Sequence, residues 1–231
     1  MEFINFVCDF LVRDMYPINL KLTGRPCAVV GGGQVAWRKI DRLLDCGAMV
    51  TVISPEVDSR IEAMAKAKKL IWRKGAYSHG GLEGFFCVFC ATNDPKINRM
   101  AALEGKQAGA LINVASNPEL CDFTLPGVVR QGPLLFTVSS DGASPGFTRL
   151  LRQDLEKRYH AGFGEFALFL REIRRELIKK FSSSCKREAV WRSLLTDNIV
   201  KLILDKDLDG AKNEIRNGIN RFGTEPSDGS R

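Results

Sequence analysis

The chain has 231 residues, of which 45% are hydrophobic, enough to bury a core in one large domain or two small ones. Seven cysteines, an odd number scattered without a framework, argue against disulfide stapling and read as reduced thiols of a cytoplasmic protein. No apolar run approaches the roughly 18 residues of a membrane span, and a net charge of +7 with a pI near 9.1 asks for an anionic partner without choosing between nucleic acid, anionic lipid and a polycarboxylate small molecule.

The opening MEFINFVCDFLVRD has early acidic residues and no small-residue cleavage site, so it is a poor secretion signal. Residues 1–14 read as an extension, with Met15 an alternative start. Thr23-Gly24-Arg25-Pro26 is a turn before the β-branched run that leads from Cys27 into Gly31-Gly32-Gly33-Gln34-Val35-Ala36. The helix that follows carries Val35, Ala36, Ile40, Leu43 and Leu44 at helical spacing and stops at Gly47.

Strand, glycine turn and helix in this order give the G-x-G-x-x-A form of the dinucleotide fingerprint. In it Gly31 permits the tight turn, Gly33 lets a pyrophosphate approach the backbone, and Ala36 lets the helix pack on the strand. The amides of Gln34 and Val35, at the positive end of the helix dipole, then face the phosphates. Taken alone, the fingerprint is met equally by a glycine turn without a ligand.

Met49–Ile53 is a strand covered on both faces and completes a βαβ unit. An acidic side chain is expected at its end to bond the ribose hydroxyls, where the chain has Ser54-Pro55-Glu56. Ser54 can bond a hydroxyl and Glu56 stands slightly late, so NAD and NADP both stay open at this point. Ser59–Lys68 reads as a helix, Leu70–Trp72 as a short strand, and Phe85–Ala91 as an apolar strand after a loop containing His79.

Cys87 and Cys90 form a C-x-x-C, yet a strand sends them to opposite faces. No second pair or histidine stands at ligand spacing, so packing is expected and no metal site. The histidines, His79 and His160, are isolated and read as loop or surface residues. Thr92-Asn93-Asp94-Pro95 ends the strand, with Asp94 an N-cap and Pro95 at the first helical position. Thr92 and Asn93 stand where a cofactor also touches, and capping and contact are compatible. Ile97, Met100 and Ala101 carry that helix to Gly109, and Ala110–Val114 is a fifth strand.

Strands alternating with helices at this spacing make an α/β fold, a Rossmann-like parallel sheet with right-handed crossovers over residues 15–118. Ligands bind such sheets beyond the carboxyl ends of the strands, which singles out Gly31–Ala36, Ser54–Glu56, Thr92–Asp94 and Val114–Asn117.

After Pro118 the pattern changes to a hairpin, Phe123–Val129 and Leu134–Ser139 joined by Arg130-Gln131-Gly132-Pro133. With the turn-rich Ser139–Pro145 it makes a candidate dimerisation and substrate region over 119–146. Pro145 opens a helix, and 147–222 form a helical domain whose Phe163, Phe166, Leu170, Ile173, Leu177 and Phe181 make a buried stripe. Basic residues around that stripe, from Arg171 to Arg187, read as a solvated face, and the polar residues 223–231 as a disordered tail. The basic run lacks the interleaved aromatics of a base-stacking surface, so nucleic acid is not expected.

The strings YPINLKLTGRPCAVVGGGQVAWRK, CATNDPKIN, INVASNPELCDF and, most selectively, LLFTVSSDGASPGFTRLLRQDLE resemble the precorrin-2 dehydrogenase and sirohydrochlorin ferrochelatase family, of the siroheme synthase N-terminal type. The resemblance spans Met15 to Phe222. It implies a cytoplasmic homodimer with an NAD-binding domain, a strand-exchange region and a helical domain around a tetrapyrrole bearing multiple carboxylates. It implies oxidation of precorrin-2 by NAD to sirohydrochlorin in siroheme biosynthesis and, in two-function members, insertion of ferrous iron as a substrate without a separate metal cage.

On the same resemblance Ser140 is associated with the tetrapyrrole, its alternative being a loop hydroxyl that caps the next helix. Arg149 and Arg152 follow on that helix, and guanidinium groups suit carboxylates because they pair in bidentate fashion. One departure stands out. The family commonly carries its catalytic aspartate where this chain has Ser116, and a serine hydroxyl is no base near neutral pH without activation. Three readings follow: Asp122 or Asp141 supplies the carboxylate, water accepts the proton, or the chain is a non-catalytic relative that binds NAD or a tetrapyrrole.

Overall fold

The computed structural model describes residues 15–223, so the expectations for residues 1–14 and 224–231 lie outside the described residues. The chain divides into two compact units, the first ending at Leu125 and the second starting at Pro126.

In the first unit β1 (Pro26–Val30), α1 (Gln34–Asp45), β2 (Met49–Ser54), α2 (Ser59–Lys66), β3 (Ile71–Lys74), β4 (Cys87–Cys90), α3 (Pro95–Gln107) and β5 (Leu111–Val114) follow in order. A short 3-10 turn, Pro118–Leu120, comes after β5. The sheet is parallel throughout, in the order β3-β2-β1-β4-β5. Strand order reverses at β1, which is where sheets of this class open at their carboxyl ends.

Both faces of the central strands are covered, as their continuous apolar runs require. Ala28 and Val30 pack with Val88, Cys90, Ala101 and Ile112 on one face, while Cys27 and Val29 pack with Ile40, Leu43, Val52 and Phe89 on the other. Cys87 and Cys90 therefore face opposite cores, as their spacing predicts, and burial pushes the Cys90 thiol up to about 12. Asp94 caps α3 through Oδ1, which accepts from the amides of Lys96 (2.7 Å) and Ile97 (3.4 Å), with Pro95 opening the helix.

The loop between β3 and β4 is pinned by a carboxylate that no periodicity marked. Buried Glu104 on α3 accepts from the Tyr77 hydroxyl, the Gly80 amide (3.0 Å) and the Leu82 amide (2.9 Å). Element bounds shift slightly from the sequence reading. α2 stops at Lys66 because Lys68 takes a positive φ of 56°, and the strand expected at Leu70–Trp72 runs Ile71–Lys74.

The second unit opens with β6 (Gly127–Gln131) antiparallel to β7 (Leu134–Val138). The hairpin is thus as expected, but its first strand starts at Gly127 and not at Phe123. Residues 121–125 stay with the first unit: the Asp122 amide donates to Ile112 O (2.9 Å), and the Phe123 ring meets Phe89 edge-on at 5.6 Å. Five helices follow: α4 (Pro145–Arg158), α5 (Ala161–Lys180), α6 (Ser184–Leu194), α7 (Asp197–Leu204) and α8 (Leu208–Gly223). The last includes Gly223, where the tail was expected to begin.

Phe163, Phe166, Phe169, Ile173 and Leu177 of α5 are buried against Val190, Leu194, Ile199, Ile203 and Ile215, with Leu170 and Phe181 partly buried beside them. Burying each such side chain contributes about 1.5–3 kcal/mol. His160 caps α5, its Nδ1 accepting from the Gly162 amide at 3.1 Å, so Nε2 carries the proton toward Ile203 O at 3.0 Å.

Candidate functional site

The three glycines after β1 meet three different surroundings. Gly31 has φ +117°, and a Cβ there would lie 2.4 Å from Ala91 O, so the turn admits only glycine. A Cβ on Gly32 would lie 2.2 Å from Glu56 O and 2.9 Å from Ser54 Oγ. Its carbonyl accepts from the Asp58 amide at 2.8 Å, which sews the loop to the turn after β2. At Gly33 an added Cβ meets no protein atom within 4 Å.

Gly33 is the N-cap of α1 and offers no side-chain acceptor, and the first turn carries no acidic residue. The leading amides at the positive end of the helix, by the exposed Gln34 and Val35, are those that suit a pyrophosphate. Ala36 is fully buried beneath them. The residues present thus fit a dinucleotide. The fingerprint assigned work to Gly31 and Gly33 but not to Gly32, whose only signal was its place in an unbroken run of three glycines.

Beyond β2 the expected roles change. Ser54 is buried and its hydroxyl donates to Glu56 O at 2.6 Å, so its one proton closes the turn and is not free for a ribose. Pro55 and Glu56 are exposed, which leaves the Glu56 carboxylate as the polar group past the strand end. Asp58 caps α2 and is bound by Arg60 Nε (2.8 Å) and Nη2 (2.7 Å), which hold its carboxyl down to about 2.

Beyond β4 the organiser is Asn98, which the sequence reading missed. It is 2% exposed. Its Oδ1 accepts from the Thr92 amide (3.0 Å) and hydroxyl (2.8 Å), and its Nδ2 donates to Thr92 O (3.0 Å) and reaches Ser116 Oγ at 3.5 Å. One amide therefore joins the loops of β4 and β5. A polar residue on the inward stripe of α3 was its only mark in the sequence.

Beyond β5, Val114 is buried and Ser116 is exposed. The Val114 amide donates to Cys121 Sγ at 3.1 Å, and the loop between them carries Ser116. Asp122, a candidate for the missing carboxylate, is engaged elsewhere. Its Oδ2 accepts from the Ile112 amide (2.9 Å) and its Oδ1 pairs with Lys106 Nζ (3.0 Å), so it anchors the first half of β5.

Next to Val114, Asn113 is 6% exposed. It accepts at Oδ1 from Lys39 Nζ (2.8 Å) and donates from Nδ2 to Phe123 O (3.0 Å). Neither Lys39 nor Asn113 was singled out in the sequence.

In the second unit, Asp141 and Gly142 take consecutive positive φ values of 50° and 79° and the Ala143 amide donates to Ser140 O, the mark of a primed turn. Asp141 is exposed at its tip. Ser144, not Ser140, is the N-cap of α4, accepting from the Phe147 amide. The Ser140 hydroxyl accepts from the Ser144 amide (3.2 Å) and from Thr148 Oγ1 (2.9 Å), tying the turn to the helix. Arg149 is exposed, while Arg152 pairs with Glu156 on its own helix at 2.7 Å. α4 buries none of its residues, and Phe147 and Leu150 are 56% and 60% exposed.

An NAD(P)-binding family model matches residues 18–127. Among curated proteins, the siroheme synthase of Methylobacillus flagellatus is 34% identical over 200 residues, which cover 87% of this chain and 43% of that one. The siroheme synthase of Nitrosospira multiformis is 32% identical over 228 residues, covering 92% and 48%. The chain therefore spans less than half the length of these relatives. Among solved structures, SirC, a precorrin-2 dehydrogenase, superposes with a TM-score of 0.73 at 28% identity, covering 88% of this chain and 100% of that one.

Proposed function

We propose that this chain, similar to siroheme synthases and to a precorrin-2 dehydrogenase, belongs with them and oxidises precorrin-2 to sirohydrochlorin with NAD in siroheme biosynthesis. The observation that carries this reading is the glycine loop, closed to side chains at Gly31 and Gly32 and open at Gly33. When bound, NAD supplies the acceptor for a hydride. The chain's residues hold and orient. The amides of Gln34 and Val35 take the pyrophosphate, while Thr92, fixed by Asn98, together with Asn93 and Val114 lines the far side. The exposed Glu56 carboxylate disfavours a 2′-phosphate, which selects NAD over NADP.

In the reaction a ring carbon of the substrate gives up a hydride and one proton leaves. Asp122 is engaged with Lys106 and the Ile112 amide, so we assign the proton to water at the exposed Ser116. Ser140, Arg149 and Arg152 are proposed to meet the tetrapyrrole and its carboxylates, with Asp141 beside them. Insertion of ferrous iron as a substrate is a second proposed activity. It needs a base for the pyrrole protons, and Ser116 is ill suited to that, so it is expected to be the slower of the two. The non-catalytic alternative rested on Ser116 alone and finds no support among relatives named for enzymes.

The working form is proposed to be a homodimer in the cytoplasm. A helix with no buried residue beside a two-stranded sheet is a marginal structure alone, and a second copy would cover it. No helix among the described residues is long and apolar enough to cross a membrane. The test is a titration of purified protein with precorrin-2 and either cofactor. NADH should form, and NADP should be poorer by about ten-fold or more; equal use of both would remove the role given to Glu56.

A further inference from the structure

Lys39 is half-buried on the inner side of α1, the helix whose first turn faces the proposed cofactor, with its ammonium 5.6 Å from the Phe89 ring centroid. It has no carboxylate partner among the described residues within ion-pair distance. Its bond is to Asn113 Oδ1, and this fixes which way the amide points: a lysine can only donate and Phe123 O can only accept, so oxygen faces α1 and nitrogen faces the returning chain. Asn113 directly precedes Val114, whose amide bonds Cys121 Sγ, and the Cys121 thiol in turn lies 3.4 Å from both Val114 O and Asn117 O. The loop that carries Ser116 thus starts and closes beside Asn113. A half-buried charge whose hydrogen bond goes to one neutral amide costs some desolvation that an apolar residue there would avoid.

We propose that Lys39 is a positioning residue for the dehydrogenation: through Asn113 it locks the loop that carries Ser116 to the helix that holds the cofactor. This rests on the precorrin-2 dehydrogenase reading. It acts on the geometry between the two partners of the hydride transfer and not on the binding of either, because Lys39 lies behind the first turn of α1.

The test uses the full chain as wild type, Lys39→Met, Lys39→Arg and Asn113→Ser. In Lys39→Met, kcat for precorrin-2 oxidation should fall about 20-fold while the Kd for NADH, read by fluorescence, stays within about two-fold. Lys39→Arg keeps a donor for Asn113 and should retain at least about a third of kcat. Independently of turnover, Cys121 should be alkylated by iodoacetamide about five times faster in Lys39→Met, read by peptide mass spectrometry, because its loop is released. If Lys39→Met does not fold, Asn113→Ser carries the test with the same expected losses. Wild-type kcat and wild-type Cys121 alkylation in a folded variant would overturn the inference. A wild-type protein that does not oxidise precorrin-2 would instead overturn the functional reading, and the alkylation result would still judge the lock.

Discussion

Replacing Gly32 and Gly33 in turn by alanine separates what the loop does for the fold from what it does for the ligand. Neither has a positive φ, so backbone strain plays no part. At Gly32 the new methyl would sit 2.2 Å from Glu56 O and 2.8 Å from Val57 Cγ1, so the turn after β2 must move and the 2.8 Å bond from the Asp58 amide must stretch or break. Overpacking of this kind costs about 1–3 kcal/mol and the hydrogen bond about 1 kcal/mol, together about 2–4 kcal/mol. At about 2–4 °C per kcal/mol for a chain of this size, Gly32→Ala should lower the melting temperature by about 5–15 °C.

At Gly33 the methyl meets no protein atom, so stability should stay within about 0.5 kcal/mol of wild type. The same methyl would stand in the path proposed for the pyrophosphate, and the Kd for NADH should rise about ten-fold or more. The assays are thermal unfolding without ligand and fluorescence titration with NADH. A Gly33→Ala protein that binds NADH like wild type, or a Gly32→Ala protein with unchanged melting, would contradict these roles for the two glycines.

Other variants probe the rest of the framework. Asn98→Ala removes three bonds to Thr92 in a buried site and should cost about 2–4 kcal/mol in chemical denaturation, with weaker NADH binding; a loss below about 0.5 kcal/mol would contradict the latch. Burial opposes ionisation of Glu104, but the Tyr77 hydroxyl and the Gly80 and Leu82 amides outweigh it and hold the carboxyl below its ordinary value. The folded pKa is thus under the unfolded one, so the stabilisation is present above the unfolded pKa and is lost as pH falls through the folded one. Melting temperature should accordingly fall more steeply on acidification in wild type than in Glu104→Gln, and parallel curves would count against the assignment. Leu150→Asp on the uncovered face of α4 should shift sedimentation from the proposed dimer to monomer without unfolding the chain; an unchanged sedimentation coefficient would contradict a dimer contact at this face.

The elements of the first unit were legible because each signal is local: continuous apolar runs in the strands, Asp94-Pro95 at a helix start, three glycines at a turn. What could not be read is what distant chain segments do to one another. Asn98, Glu104 and the Lys39–Asn113 pair look like polar residues on helices and a strand until the sheet brings Thr92, Tyr77 and Phe123 to them. Ser54 illustrates the reverse case. Its position at the strand end was right, but the turn after it consumes the hydroxyl that seemed available to a ribose. Asp122 likewise reads as a spare carboxylate until Lys106 and the Ile112 amide are seen to hold it.

We propose that the glycine loop serves an oxidation even though Ser116 stands where the family it resembles commonly carries an aspartate. It is tested most directly by following NADH formation from precorrin-2 and NAD in the wild type beside Ser116→Asp, an exposed position where the change should leave stability within about 0.5 kcal/mol. NADH should form with the wild type, and adding the carboxylate should raise turnover about ten-fold or less if water accepts the proton as proposed. No NADH from a folded wild type that binds the cofactor would contradict it.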